Sequence, residues 1–189
     1  HACGFDTIPS DLGVDYLQKE ALGRYGKPFK SVKMRVMAWQ GSASGGTISS
    51  MFNAIREGRA DRDVARILAH PYSLCPAGSR KGPDRGMQTT PLMDEELKKW
   101  TAPFVMAGVN TKVVRRSNAL MGFLYGEEFS YQEALLTGSG WGGYARAMQV
   151  TIALGGIVLA GTIDMLGSAL QKYFLPKPGE GPGREEREK

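Results

Sequence analysis

The tightest constraint on folding lies at the start of the chain, in His1-Ala2-Cys3-Gly4-Phe5-Asp6-Thr7-Ile8-Pro9-Ser10-Asp11-Leu12-Gly13. A proline fits a helix only in the first turn, where its missing N–H leaves no helical bond unmade. Pro9 therefore marks a helix start. Gly4 frees the backbone ahead of it. Thr7 is a candidate N-cap, and Ser10 and Asp11 place acceptors near the positive helix end. The segment reads as the end of a buried strand, a tight turn and the opening of a helix. That helix continues through Leu12, Tyr16, Leu17 and Leu22 as roughly one apolar face. In an open α/β sheet, ligands bind at such a junction. An ordinary strand–helix junction has the same spacing.

Downstream, Val32, Met34, Val36 and Ala38 alternate with Lys33, Arg35, Met37 and Trp39 across residues 31–40. A period of two predicts a strand with one buried face. The turn Gly41-Ser42-Ala43-Ser44-Gly45-Gly46-Thr47 follows, then a helix with Ile48, Met51, Phe52 and Ile55 on one face. Thr47 is its candidate cap, and Gly58 its candidate stop. Small residues at a helix start let backbone N–H groups approach an anion, and they equally allow close strand–helix packing. No Gly-Lys-Ser/Thr follows, so the turn is not a P-loop.

Residues 60–69 suggest a short helix with Val64, Ile67 and Leu68 inward, ended by Pro71. Residues 75–88 are rich in Gly, Pro, Arg and Lys and read as a long, partly mobile surface loop. Leu92, Leu97 and Trp100 suggest another short helix, beginning near Asp94. Within residues 102–123, Val113, Val114 and Leu120 are core-like, and on a helix Lys112 and Arg116 would lie on one face. A guanidinium presents a fork that suits carboxylate or phosphate. Arg115 and Arg116 are thus ligand candidates, or surface salt-bridge partners of Glu127 or Glu128. Residues 125–136 read as a strand or hairpin segment, with Phe129 and Tyr131 on one face and Ser130 and Gln132 on the other. Gly138-Ser139-Gly140-Trp141-Gly142-Gly143 reads as a flexible joint.

The formal charge of +5 is modest, and it is uneven: Arg24, Lys27, Lys30, Lys33 and Arg35 have no acid between them. Such a run suits an anionic lipid, a phosphate or nucleic acid, or is a solvated face. No nucleic-acid module accompanies it, so nucleic acid is not an expected partner. The two cysteines, Cys3 and Cys75, and the two histidines, His1 and His70, form no metal spacing. No metal is expected.

Four stretches together resemble the saccharopine dehydrogenase-like oxidoreductases, which include bacterial trans-acting enoyl reductases and eukaryotic lipid-droplet relatives. They are Cys3 to Gly13, Gly41 to Thr47, Ala102-Pro103-Phe104-Val105-Met106, and Asn110-Thr111-Lys112-Val113-Val114-Arg115-Arg116-Ser117-Asn118-Ala119-Leu120. Pro178-Gly179-Glu180-Gly181-Pro182 extends the match. The resemblance implies a Rossmann domain followed by an α+β substrate domain with a mixed sheet and flanking helices. The family's nucleotide-binding glycine loop lies upstream of everything here, so the chain is expected to be a C-terminal portion. The implied cofactor is NADP or NAD, held mainly by that upstream domain.

The organisation expected is 1–24 as the end of the Rossmann domain and its helix, 25–148 as substrate domain, 149–175 as a hydrophobic helical segment and 176–189 as a disordered tail. By resemblance, Cys3, Gly4 and Phe5 lie near the cofactor. Ser44, Gly45, Gly46, Thr47, Asn110, Arg115, Arg116 and Asn118 line the substrate side. Reducing an enoyl bond also requires a proton. Asp6, Asp11 and Tyr144 are the candidate donors, and nothing in the sequence ranks them.

The expected reaction is hydride transfer to a lipid-linked unsaturated acyl substrate. The competing expectation is a lipid-associated adaptor or pseudoenzyme that retains the fold. It draws on residues 147–163, which carry no charge and approach bilayer length. Gly155, Gly156, Gly161 and Asp164 weaken that stretch as a span, while Trp141, Tyr144, Tyr173 and Phe174 flank it as interfacial aromatics do. Expected partners are a small-molecule or lipid substrate and a peripheral membrane or lipid-droplet surface, with a homo-oligomer left open. The expected location is cytoplasmic, at a membrane or lipid droplet.

Overall fold

In the computed structural model, residues 7–37 and 45–163 are described. The chain is α+β, with five helices and a four-stranded mixed sheet among those residues. It divides into two units, 1–37 with 70–151, and 38–69 with 152–189.

The first unit opens with α1 (Ile8–Tyr25), which has Pro9 in its first turn and Gly26 as a left-handed C-cap at φ 69°. The Gly26 N–H closes the helix on the Leu22 carbonyl at 3.0 Å, as a glycine C-cap does. β1 (Ser31–Val36) pairs in parallel with β4 (Ser130–Gly138). The hairpin β2 (Leu92–Asp94) and β3 (Lys99–Ala102) joins β4 antiparallel, giving the order β1-β4-β3-β2.

Strand register sets the two faces of the sheet. Val32, Met34 and Val36 stand opposite Tyr131, Glu133 and Leu135. They share the face on which Val14 of α1 and Val114 of α4 (Ala107–Leu120) pack with Tyr125, Phe129 and Tyr131. Phe104, Met106 and Ala107 extend this core to Val36 and Leu135. On the other face, Lys33 and Arg35 stand opposite Gln132 and Ala134. There Arg35 meets Asp94 and Lys33 meets Glu96, each at 2.7 Å. Arg24 pairs with Glu20 at 2.8 Å. Much of the basic run is thus neutralised by acids distant in sequence or one helical turn away.

Four expectations change here. In α1 the buried positions are Ser10, Val14, Gln18 and Ala21, while Leu12, Tyr16 and Leu17 are exposed. The inward face is polar because it has backbone to satisfy: Gln18 Nε2 donates to the Phe29 carbonyl at 2.9 Å and its Oε1 accepts the Phe29 N–H at 2.8 Å. In α4, Val114 is buried but Leu120 is exposed. The helix predicted from Asp94 is instead a hairpin, because Asp94 Oδ1 accepts the N–H groups of Glu96 and Leu97, each at 3.1 Å, and folds them into a turn. Residues 75–88 form no helix or strand, but the loop is pinned: Tyr72, Cys75 and Asp84 are buried in and beside it.

Glycines 138–143 also differ from the flexible joint predicted. Gly138 (φ 113°) ends β4, Gly140 (φ 61°) opens α5 (Gly140–Thr162), and a Cβ on Gly143 would lie 2.2 Å from the Gly138 carbonyl oxygen. This is a tight turn that excludes side chains at the third glycine. Its spacing is G-x-G-x-x-G, directly after a strand.

In the second unit, α2 (Gly45–Ala60) and α3 (Arg62–Ala69) join through Asp61. The Asp61 carboxylate caps α3 by accepting the Asp63 N–H at 2.7 Å. Ile67 and Leu68, predicted inward, are exposed. α2 runs past Gly58 to Ala60, and Thr47 lies within its first turn and not ahead of it. A Cβ on Gly161 would stand 2.9 Å from Ile55 and 3.3 Å from Phe52, so this glycine lets α5 approach α2 closely. Arg59 donates to the Thr162 carbonyl at the negative end of α5. The segments 1–6, 38–44 and 164–189, with the expected tail, lie outside the described residues.

Candidate functional site

The inward face of α4 carries Asn110, Thr111, Val114, Arg115 and Asn118, all buried. Their spacing is that of one helical stripe, yet four of the five are polar. Asn110 and Arg115 find partners on β4 and on the loop before β2, Asn118 on the turn between α4 and β4, and Thr111 on α4 itself.

Arg115 is the hub. Its Nε donates to Asp84 Oδ2 at 2.7 Å, with both side chains 2% exposed. Nη1 donates to the Pro71 carbonyl at 3.2 Å and to Thr111 Oγ1 at 3.1 Å, and Nη2 donates to the Tyr131 carbonyl at 3.1 Å. The guanidinium also lies 5.3 Å from the Tyr72 ring centroid, within cation–π range. Asp84 is equally engaged: Ser130 donates to Oδ1 at 2.6 Å and the Tyr131 N–H to Oδ2 at 3.2 Å. The carboxylate partner is therefore Asp84, not the Glu127 or Glu128 the sequence suggested.

A second buried group adjoins it. Tyr131 donates to Glu133 Oε1 at 2.7 Å, and Asn110 Nδ2 donates to Oε2 at 3.0 Å. Asn110 Oδ1 has no hydrogen-bond partner. Burial first, then the Glu133 charge and the bond to it, push the Tyr131 phenol far above its ordinary range. This phenol stays protonated as a donor.

Asn118 serves the backbone. Its Nδ2 donates to the Gly126 carbonyl at 3.0 Å and its Oδ1 accepts the Tyr125 N–H at 2.9 Å. It thereby closes the turn in which Gly122 and Phe123 take positive φ. Across the α1–α4 contact, Ser117 donates to Asp11 Oδ2 at 2.9 Å. Burial raises the Asp11 carboxyl above 3.8; the Ser117 bond opposes this and Asp15 adds to it.

Tyr144 stands elsewhere, on the first turn of α5. Its ring packs 4.7 Å from Trp100 and 5.6 Å from Trp141, centroid to centroid. With Gly140 these three aromatics line a shallow depression of about 520 Å³. No described contact joins it to Asp11. Arg116 is exposed and donates to the Leu74 carbonyl. Cys3, Gly4, Phe5, Asp6 and Ser44 lie outside the described residues, as does the side chain of Thr47, while the Gly45 backbone opens α2. Gly46 is exposed. Among the described residues, no cluster of His, Cys, Asp or Glu is placed to hold a metal.

Asp84, Tyr131 and Glu133 were not singled out by sequence reasoning. The available signal was polar residues recurring at core spacing in α4, which requires buried partners elsewhere.

Over its whole length the chain is 37% identical to a Mycobacterium tuberculosis protein provisionally named a trans-acting enoyl reductase. It is 33% identical to a trans-acting enoyl reductase of Mycobacterium ulcerans and 32% identical to one of Mycobacterium bovis. All of the chain aligns in each case, covering 47% of the relative. The chain thus spans about half the length of these curated relatives. No family model matches it, and no solved structure does.

Proposed function

We propose that this chain is the α+β part of a saccharopine dehydrogenase-like oxidoreductase that reduces the double bond of a lipid-linked unsaturated acyl substrate. The observation that carries this reading is the similarity, end to end, to proteins named trans-acting enoyl reductases. The cofactor, NADP or NAD, would supply the hydride in its reduced form, NADPH or NADH, when bound. Most of its site is assigned to the half of the relatives' length that this chain does not span, with Cys3, Gly4 and Phe5 at its border. Trp100, Trp141 and Tyr144 offer a planar ring a shelf, so the described residues fit a nicotinamide or adenine ring.

The protein's own task is to hold the acyl group and deliver a proton beside its carbonyl. Asp11 suits delivery because burial favours its protonated form and Ser117 fixes one oxygen. Tyr144 is the second candidate donor and Asp6 the third. Ser44, Gly45, Gly46 and Thr47 are assigned to the substrate wall, with Arg116 at its edge. Arg115 and Asn118 act through the backbone they hold, and Asn110 through the Glu133 carboxylate. The test is consumption of NADPH against NADH by the protein at its relatives' full length, with an α,β-unsaturated acyl thioester. Asp11→Asn or Tyr144→Phe should lower turnover by about 10²-fold or more if that residue is the donor. Absence of enoyl-dependent oxidation with either coenzyme overturns the reading.

A second reading, a lipid-associated protein, is favoured by α5. By length and composition this helix could cross a membrane; 17% of its most apolar window is buried, and Ile152, Val158, Leu159 and Ile163 are exposed. Interfacial attachment at a cytoplasmic membrane or lipid droplet would cover them.

A further inference from the structure

The protein's positive charge gathers on the loop before β2 and on α4. Between them, residues 70–88 and 107–120 hold Arg80, Lys81, Arg85, Lys112, Arg115 and Arg116 against a single acid, Asp84. That excess equals the formal charge of the whole chain, +5, so the remaining residues sum to neutral. Asp84 is occupied inside by Arg115, Ser130 and the Tyr131 N–H. It cannot serve the others.

Two of these cations are held in place. Arg80 Nε donates to the Cys75 carbonyl at 3.2 Å, and Arg116 Nη1 donates to the Leu74 carbonyl. Their anchors are consecutive residues, about 3.8 Å apart from Cα to Cα. Each anchor uses one of five guanidinium N–H groups. Among the described residues neither arginine meets a carboxylate. By contrast Lys19, Arg24, Arg66 and Lys98 pair with acids at 2.7–2.9 Å.

We propose that Arg80 and Arg116 form a binding site for a phosphate monoester carried by the substrate or the coenzyme. Two guanidiniums match the dianion in charge, and their forks match its oxygens. Backbone anchoring removes part of the ordering cost that long cationic side chains otherwise bear on binding. The inference rests on the reading above only in placing Arg116 beside the substrate, and its test reads binding and not reduction.

The test is calorimetric titration of the chain with inorganic phosphate, then with NADPH against NADH, and coenzyme A against its form lacking the 3′-phosphate. Each pair differs in one phosphate monoester. At least one monoester probe should bind, and Arg116→Ala or Arg80→Ala should weaken it about tenfold or more. Arg116→Lys should lie between, and Arg24→Ala should match the parent chain. A difference within the NADPH pair names the coenzyme as source; one within the coenzyme A pair names a thioester carrier. Binding equally sensitive to Arg24→Ala, or no binding that depends on Arg80 and Arg116, overturns the proposal. Melting temperatures of both alanine variants should stay near that of the parent, since neither side chain is in the core.

Discussion

Two adjacent arginines meet opposite fates. Arg115 is enclosed with Asp84, while Arg116 lies on the surface. Removing one partner of a buried pair strands the other charge, so Arg115→Ala or Asp84→Ala should cost about 3–5 kcal/mol in denaturant unfolding. Arg116→Ala should stay within about 0.5 kcal/mol. Two carboxyls should also leave opposite marks on the pH dependence of stability. Burial opposes ionisation of Asp94, but the bond from Arg35, the Leu97 N–H, the Arg35 charge and the Glu96 N–H together hold it below 3.8. Its contribution is present above that value and lost as pH falls through the lower folded one, a loss Asp94→Asn should remove. Asp11, raised above 3.8, does the reverse. The native state binds its proton more tightly, so stability falls as pH rises from 3.8 through the raised value. Chemical denaturation of Asp11→Asn across that window should show a flatter profile than the parent.

Among the elements, the loop before β2 is the part whose order is least evident from composition. Gly82 sits against Tyr72: a Cβ there would lie 2.3 Å from the hydroxyl that accepts the Asp84 N–H. Gly82→Ala should therefore destabilise by about 1–3 kcal/mol and raise amide exchange at Asp84. A variant with parental stability would show that the Tyr72 contact does not order the loop. At the start of α3, Asp61→Ala should cost about 1 kcal/mol as a lost cap, seen as earlier melting of helical signal. Pro9, the alternation in β1 and the long apolar run of α5 were legible because each is a local rule. The hairpin at 92–102 was not, since Asp94 caps a turn with the same side chain that would cap a helix, and only pairing with β4 selects the strand.

For the whole molecule, the chain spans 47% of the length of the curated relatives it matches, and the proposed function places the dinucleotide mainly on the part it does not span. The isolated chain should therefore bind NAD(P)H poorly in a fluorescence titration. Micromolar binding would instead point to residues of this chain: to Arg80 and Arg116 where their alanine variants abolish it, and otherwise to Gly138, Gly140 and Gly143, whose turn opens α5 after a strand. Liposome flotation followed by a carbonate wash addresses α5: release by carbonate supports peripheral attachment, and resistance supports a span. No flotation leaves the helix buried in the full-length core or docked on a protein partner. The sequence by itself determined the α+β class, the helix start at Pro9, the inward side of β1 and the similarity to proteins named enoyl reductases, because short-range sterics, period and motif identity are written residue by residue. The tertiary structure alone decided that α1 turns Ser10 and Gln18 inward, that Arg115 belongs to Asp84, and that the basic run meets Asp94 and Glu96. Those outcomes depend on which buried groups need partners, and the partners lie 11 to 63 residues away.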